Sequence, residues 1–174
     1  MMKEILNGLA SIVGKRRMIK WFFNLSPMYR NTGGRVVEAS DDFHYVKIKL
    51  PLNYNTRNYV GTLYGGHMYS CVDGIYMVQL VNILGPKYVI WDKSASIRFR
   101  RPGSSTLYAE FRLEKEFIEE IKKDITLDGE RDYLLNVDLC DKDGVVHANV
   151  EKEIYIASKE FYKKKKAAKR KTVA

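Results

Sequence analysis

The spacing of hydrophobic residues changes from a helical to an alternating pattern along the chain. Near the N-terminus, apolar residues at near-helical spacing predict an amphipathic helix over residues 3–23 that ends near the sequence NLSP: Ile5, Leu9, Ile12, Ile19 and Phe23. Its apolar face predicts docking on the domain or on a partner subunit. Basic residues flank Trp21, Phe22 and Phe23, so a peripheral membrane contact stays open as an alternative.

Apolar and polar residues then alternate in several segments, which is typical of strands that bury one face. The apolar positions of the predicted strands are Val46, Ile48 and Leu50; Ala95, Ile97 and Phe99; Leu107, Ala109, Phe111 and Leu113; Tyr133, Leu135, Val137 and Leu139; and Val146, Ala148 and Val150 running towards Ile156. Turn sequences such as RPGSS and DKDG separate them.

Between the first strand and the later ones, a long apolar stretch predicts one helix from about Tyr64 to Leu84, ended by Gly85 and Pro86. A helix that is apolar nearly all round has to be buried, and antiparallel strands can bury it by wrapping around it. The predicted fold is therefore α+β, with a curved antiparallel sheet around one long central helix and an extra N-terminal helix.

One residue of this helix, Asp73, does not fit an apolar environment. Burying a carboxylate costs several kcal/mol, because the charged group loses its water, unless partners or a raised pKa compensate. Either neighbouring groups satisfy Asp73 or the protein uses it chemically.

The length and charge of the chain indicate one domain with a basic tail. Its 174 residues divide into an N-terminal helix and connector (1–32), a central domain (33–158) and a tail (159–174). The formal charge is +9, but residues 163–171, KKKKAAKRK, carry seven cations, so the rest of the chain is close to balanced at +2. Such a run predicts disorder, with binding to RNA or lipid as alternatives.

Neither the cysteines nor the histidines have the spacing of metal ligands. Cys71 and Cys140 are far apart and predict reduced, structural thiols, hence a cytoplasmic location, and no signal peptide is evident. His44, His67 and His147 are isolated from one another. No metal ion or cofactor is predicted.

The order of elements, together with two sequence stretches, resembles a known family. TRNYVGTLYGG precedes the central helix and YVIWDKSASIRFRRPG follows it, with an aspartate nine residues after Tyr64. This arrangement resembles the hotdog-fold acyl-CoA thioesterases of the phenylacetate-pathway type, and looks closer still to an uncharacterised branch described as tetrameric acyl-CoA thioesterase-like. The resemblance covers roughly residues 33–157.

The resemblance implies a catalytic site at the start of the central helix. Gly65 and Gly66 match the two glycines of the family's His-Gly-Gly turn, and Asp73 falls where the acidic residue is expected. The Gly66 N–H would stabilise the thioester oxyanion, because N–H groups at a helix N-terminus are unpaired and lie at the positive end of its dipole. Asp73 would act as general base or as nucleophile, and the sequence leaves both open.

Other residues of the family's site are matched less closely. Tyr64 stands where many of these enzymes have histidine, and the expected loop asparagine corresponds to Asn58 or Asn55, of which Asn58 lies nearer the turn. Thr62 and Gly65 would line the substrate site. Three arginines on or just after one predicted strand could contact the phosphates of coenzyme A: Arg98, Arg100 and Arg101. Ser96 lies beside them on the same strand and is a further candidate binding residue.

The predicted function is therefore hydrolysis of acyl-CoA to a free acid and coenzyme A. The resemblance implies a homodimer or homotetramer whose active site is shared, with one subunit's Asp73 near its partner's Gly66. One alternative is a non-catalytic acyl-thioester-binding protein, which Tyr64 at the histidine position favours. Another is a nucleic-acid-associated protein acting through the basic tail, although no nucleic-acid-binding motif is found and no specific nucleic acid is predicted.

Overall fold

A computed structural model describes residues 15–172. In chain order it contains helices α1 (Lys15–Leu25) and α2 (Pro27–Arg30), strands β1 (Arg35–Ala39) and β2 (Tyr45–Leu50), helices α3 (Gly65–Ser70) and α4 (Ile75–Leu84), strands β3 (Tyr88–Phe99) and β4 (Leu107–Arg112), helix α5 (Lys115–Asp128), strands β5 (Glu130–Cys140) and β6 (Val146–Ser158), and helix α6 (Lys159–Thr172). None of the helices in this range is long and apolar enough to cross a membrane.

The strands form one six-stranded antiparallel sheet in the order β1-β2-β4-β5-β6-β3. The predicted alternation is confirmed in β2 and β4, where every second side chain is buried. The two edges of the sheet differ. β1 is short and carries helix α1 against it, whereas β3 is a twelve-residue edge strand whose second half is largely exposed.

Helices α3 and α4 supply much of the core against one face of the sheet, which we call the inner face. The ring of Tyr76 packs edge-on against Phe111 of β4, with centroids 4.9 Å apart, and its hydroxyl donates to the carbonyl of Asn136. Gln79 donates to the carbonyl of Phe43 at 2.7 Å. Because the Tyr76 hydroxyl and the Gln79 amide nitrogen bond to backbone carbonyls, the helices can bury these donors among apolar side chains.

The single central helix that we predicted is wrong, because the structure divides it at residues 71–74. Helix α3 ends at Ser70, and α4 begins only after Gly74, which adopts the left-handed conformation with φ of 74°. Nothing lies within 4 Å of a Cβ built on Gly74. Glycine is therefore required by backbone conformation and not by space.

We expect Gly74→Ala to destabilise the protein by about 1–2 kcal/mol, because an L-residue in the left-handed region is strained. In a continuous helix the same change would stabilise the protein by up to about 1 kcal/mol, since alanine is the better helix former. Urea unfolding of the purified variant distinguishes the two signs. Gly74→Asn is the matched control and should lose less stability than Gly74→Ala, because asparagine tolerates this conformation.

Two further helices differ from the prediction. Helix α5 was not predicted; its buried residues Ile118, Ile121 and Ile125 follow helical spacing, and Phe117 packs on Tyr133. Helix α6 occupies the tail that we predicted to be disordered. Phe161 lies against Gly129 and Lys165 pairs with Glu130 at 2.6 Å, so the basic segment is attached to the domain at its start.

Helix α1 overlaps the predicted N-terminal helix at residues 15–23 and continues to Leu25, and its Ile19 and Phe23 are buried. Residues 1–14 lie outside the described part of the chain. The boundaries proposed at residues 32 and 158 stay a prediction.

Candidate active site

Asp73 lies in the turn between α3 and α4 and not on a buried helix face. Its side chain is 49% exposed, so the prediction that it is buried is wrong. The hydroxyl of Tyr69, one turn earlier, donates to Asp73 Oδ1 at 3.4 Å. Gly74 ends the turn, which leaves the carboxylate accessible to water at the edge of the core.

The partner of Asp73 is a buried lysine on strand β6. The side chain of Lys152 is only 1% exposed, and its ammonium donates to Asp73 Oδ1. It also pairs with Asp92 Oδ2 of β3 at 3.2 Å and lies 5.8 Å from the centre of the Tyr69 ring. Because a buried ammonium is costly without counter-charges, these two carboxylates explain how Lys152 is tolerated.

Lys152, Asp73, Asp92 and Tyr69 form a cluster whose charge state follows from its geometry. Burial by itself lowers the pKa of Lys152, but the hydrogen bonds and charges of Asp73 and Asp92 more than offset this, so the pKa lies above its ordinary value. Burial also raises the pKa of Tyr69, which therefore stays a neutral donor at neutral pH. The cluster holds the Asp73 carboxylate between one cation and one hydroxyl.

The two glycines of the predicted turn lie under aromatic rings. A Cβ on Gly66 would collide with the ring of Tyr64, and one on Gly65 would collide with the ring of Phe99 at the end of β3. Gly66 is exposed, and Tyr64 precedes helix α3 as its N-cap residue with 57% of its surface exposed. A side chain at either position would therefore have to displace an aromatic ring, whatever chemistry the turn performs.

Asn58 organises the loop before this turn. Its Nδ2 donates to the Thr62 hydroxyl at 2.9 Å, and its Oδ1 accepts from the backbone N–H groups of Val60 and Thr62. Asn55 is further from the turn and bonds through its backbone to Asn53. Asn58 and Thr62 therefore fix the loop conformation, and their roles in catalysis and substrate binding stay predictions.

The predicted coenzyme A-binding residues are not gathered with Asp73. Ala95 is opposite Lys152 in the β3–β6 pairing and shares its inner face, so Ser96 and Arg98, each an odd number of residues away, point to the outer face. Arg100 and Arg101 follow the strand, and Arg101 donates to the carbonyl of Val146 at 2.9 Å. Contact of these residues with a substrate remains a prediction.

Sequence reasoning missed Lys152 and Asp92. The signal was present, because Lys152 stands at an inward position of an alternating strand, between Val150 and Ile154. A lysine where an apolar residue is expected indicates a buried counter-charge. Within residues 15–172, no group of three or more histidine, cysteine, aspartate or glutamate side chains could hold a metal ion.

A family model described as a domain of unknown function, DUF4442, matches residues 14–156. The chain belongs to the DUF4442 family. The match covers the Gly65–Gly66 turn, the Asp73–Lys152–Asp92 cluster and all of the sheet except the last two residues of β6 in this DUF4442 domain. It ends before helix α6. Among functionally curated proteins, no sequence matches the chain.

Solved structures show the same fold at low sequence identity. A Pseudomonas aeruginosa protein of unknown function, described as a probable thioesterase, is 20% identical with a TM-score of 0.72, over 82% of this chain and 95% of its own. A Chlorobaculum tepidum protein of unknown function is 14% identical (TM-score 0.65, 82% and 93%). A Haemophilus influenzae thioesterase is 11% identical (TM-score 0.60, 82% and 90%). The DUF4442 chain therefore has the hotdog fold of thioesterase-like proteins.

Proposed function

We propose that this protein hydrolyses acyl-CoA thioesters at a site shared by two subunits. The observation that carries the proposal is the Asp73 carboxylate, eight residues after Gly65 of the Gly-Gly turn. It is half exposed to water and fixed by Lys152 and Tyr69. The thioesterases among the solved structures of the same fold support this reaction class.

The reaction needs a base or a nucleophile and a donor for the oxyanion. In the first route, Asp73 removes a proton from water, whose oxygen attacks the thioester carbonyl; the C–S bond then breaks and coenzyme A leaves as a thiolate, which takes up the proton. In the second, an Asp73 oxygen attacks the carbonyl carbon and the C–S bond breaks, so coenzyme A leaves as a thiolate. Water then hydrolyses the resulting anhydride, which releases the free acid, restores the Asp73 carboxylate and supplies the proton that the thiolate takes up. In both, the Gly66 N–H donates to the developing oxyanion.

Two subunits are brought together in this proposal through strand β3. A long, exposed edge strand presents unpaired backbone groups that a second copy can pair. Exposed apolar side chains lie on β3 and on the loop before the Gly-Gly turn: Tyr59, Val60, Tyr64, Trp91 and Phe99. Pairing of the two β3 edges would cover them and add a partner's turn to the site, and two such dimers would form a tetramer.

We expect light scattering at micromolar concentration to report a dimer or larger assembly. Phe99→Asp should shift the assembly towards monomer and raise the dimer dissociation constant about tenfold or more, because a charge buried in an interface is costly. Leu127→Asp is the matched control, since Leu127 is 72% exposed on helix α5, away from β3. A wild-type protein that is monomeric under these conditions would overturn both the dimer and the shared site.

The test of the function is a turnover screen over short, medium, long and aromatic acyl-CoAs, in which released thiol is measured. Turnover of at least one class, with free acid formed in equal amount, is the expected result. Coenzyme A bound without any release of thiol across all classes would contradict hydrolysis.

Two observations favour a non-catalytic acyl-thioester-binding protein as the second candidate. Tyr64 stands in place of the histidine of the related turn, and Lys152 neutralises the charge of Asp73. Under this alternative, calorimetry detects binding of a non-hydrolysable acyl-CoA analogue, while the screen detects no turnover with the corresponding thioester.

A further inference from the structure

Helix α1 carries apolar side chains on two opposite faces. Ile19 and Phe23 are buried, each 4% exposed, where the helix packs against β1. Trp21 and Leu25 are 59% and 65% exposed, and Phe22 beside them is 44% exposed. Residues four apart share a helix face, so Trp21 and Leu25 form one outward apolar surface with Phe22 at its border.

This surface lies in a strongly cationic part of the chain. Residues 5–37 contain no aspartate or glutamate but six cations: Lys15, Arg16, Arg17, Lys20, Arg30 and Arg35. Arg17 is one helical turn before Trp21 and is exposed. In helix α2, Met28 adds a further apolar side chain that is 72% exposed. Exposed apolar groups on one helix face mark an interaction surface, and the cations in the same stretch of sequence restrict its partner.

The charges argue against a second copy of the chain as that partner. In a symmetric contact the same surface meets itself, so the cations of two copies would approach one another with no acidic residue of this stretch to neutralise them. A surface of the opposite sign is required. A tryptophan and a leucine on one helix face, flanked by arginine and lysine, match the side chains that amphipathic helices place at the boundary between anionic headgroups and acyl chains.

We propose that helix α1 docks on anionic lipid surfaces, with Trp21, Phe22 and Leu25 inserted at the headgroup boundary and Arg17 and Lys20 among the headgroups. Ile19 and Phe23 keep the helix attached to the sheet, so the domain itself is held at the lipid surface. This surface is separate from the Asp73 cluster, and the inference does not depend on thioester hydrolysis.

The test uses the full chain with Trp91→Phe, which leaves Trp21 as the only tryptophan reporter. We expect co-sedimentation with vesicles of phosphatidylcholine and phosphatidylglycerol, a blue shift of Trp21 emission on binding, and little binding to phosphatidylcholine alone. Raising the salt concentration should weaken binding, because attraction between exposed charges is screened. Equal binding to both kinds of vesicle, or to neither, would overturn the proposal.

Two sets of variants identify the surface responsible. In the otherwise unmodified chain, Trp21→Ser with Leu25→Ser should weaken vesicle binding about tenfold or more, because both inserted apolar side chains are lost. The matched control, Leu127→Ser with Leu134→Ser, removes two equally exposed leucines elsewhere and should bind as before. Circular dichroism verifies that each variant is folded.

Two outcomes would show that the exposed surface of helix α1 is not the lipid-binding surface. If lysine-to-glutamine changes at Lys163, Lys166 and Lys169 abolish binding while Trp21→Ser with Leu25→Ser does not, helix α6 binds the lipid and the proposal is wrong. If Trp21 emission is already blue-shifted and shielded from acrylamide without vesicles, residues 1–14 or a second copy cover the surface, which also overturns it.

Discussion

Replacing Asp73 with asparagine is expected to lower thioester turnover by about a hundredfold or more, the usual contribution of a general base. The amide keeps the shape of the side chain and can still accept from Lys152 and Tyr69, but it can neither take a proton from water nor attack the carbonyl. Because Asp73 is 49% exposed and Lys152 retains Asp92, we expect the free energy of unfolding to change by less than about 1 kcal/mol. Turnover and urea unfolding are measured on the same preparation.

The matched control is Asp143→Asn, the same change at an exposed aspartate of the β5–β6 turn, which should leave turnover intact. A structural role for Asp73 gives the opposite pair of results. Stability would then fall by about 1–3 kcal/mol through unsatisfied partners, while turnover per folded molecule would be retained. That outcome would rule out the proposed mechanism.

The largest loss of stability is expected when both counter-charges of Lys152 are removed. In Asp73→Asn with Asp92→Asn, an ammonium that is 1% exposed is left without a carboxylate. Breaking a buried ion pair in this way costs about 3–5 kcal/mol, because the remaining charge is neither hydrated nor paired. Guanidinium unfolding of the double variant, compared with each single variant, measures the loss.

Adding Lys152→Met to that double variant is expected to restore most of the stability, since the apolar side chain needs no counter-charge and has a similar length. Lys152→Met alone is the control and should cost less than the double variant, because Asp73 and Asp92 are 49% and 29% exposed and water can solvate them. A triple variant no more stable than the double one would show that Lys152 is not the group that requires the two carboxylates.

Five of the six strands were predicted, because their signal is local; β1 was not. In β2, Val46, Ile48 and Leu50 are buried while Lys47 and Lys49 are not, as the alternation indicates. A strand that buries one face has to repeat every two residues, so the pattern survives without knowledge of its neighbours. Helix α5 has the helical counterpart of this signal in Ile118, Ile121 and Ile125, although this segment was not predicted as a helix.

The sequence contains no comparable local signal for the break in the central helix. Residues on both sides of Gly74 are apolar, and a glycine inside an apolar stretch is compatible with a continuous helix at a cost of about 1 kcal/mol. The conformation of Gly74 depends on where α3 and α4 each pack. The same packing places Asp73 in a turn at the edge of the core, half exposed.

The residues of the candidate site likewise fall into two groups, those identified from the sequence and those that only the fold brings close. The sequence identified Gly65, Gly66 and Asp73 as a group because they are close in the chain and match the spacing of a known turn. Lys152 and Asp92 are 79 and 19 residues from Asp73 in the sequence and reach it only through the pairing of β3 with β6. Without that pairing, a carboxylate predicted to be buried, and therefore to need partners or a raised pKa, could not be matched with its cation.

The amino-acid sequence by itself therefore determined five of the six strands, the existence of an apolar helical layer and the position of the Gly-Gly turn. All of these depend on periodicity or on residues near one another in the chain. Tertiary structure alone decided that Gly74 breaks the helix, that Lys152 pairs with Asp73 and Asp92 and that Trp21 is exposed. These properties depend on which elements become neighbours, because burial and ion pairing are energies of contact between segments that are distant in sequence.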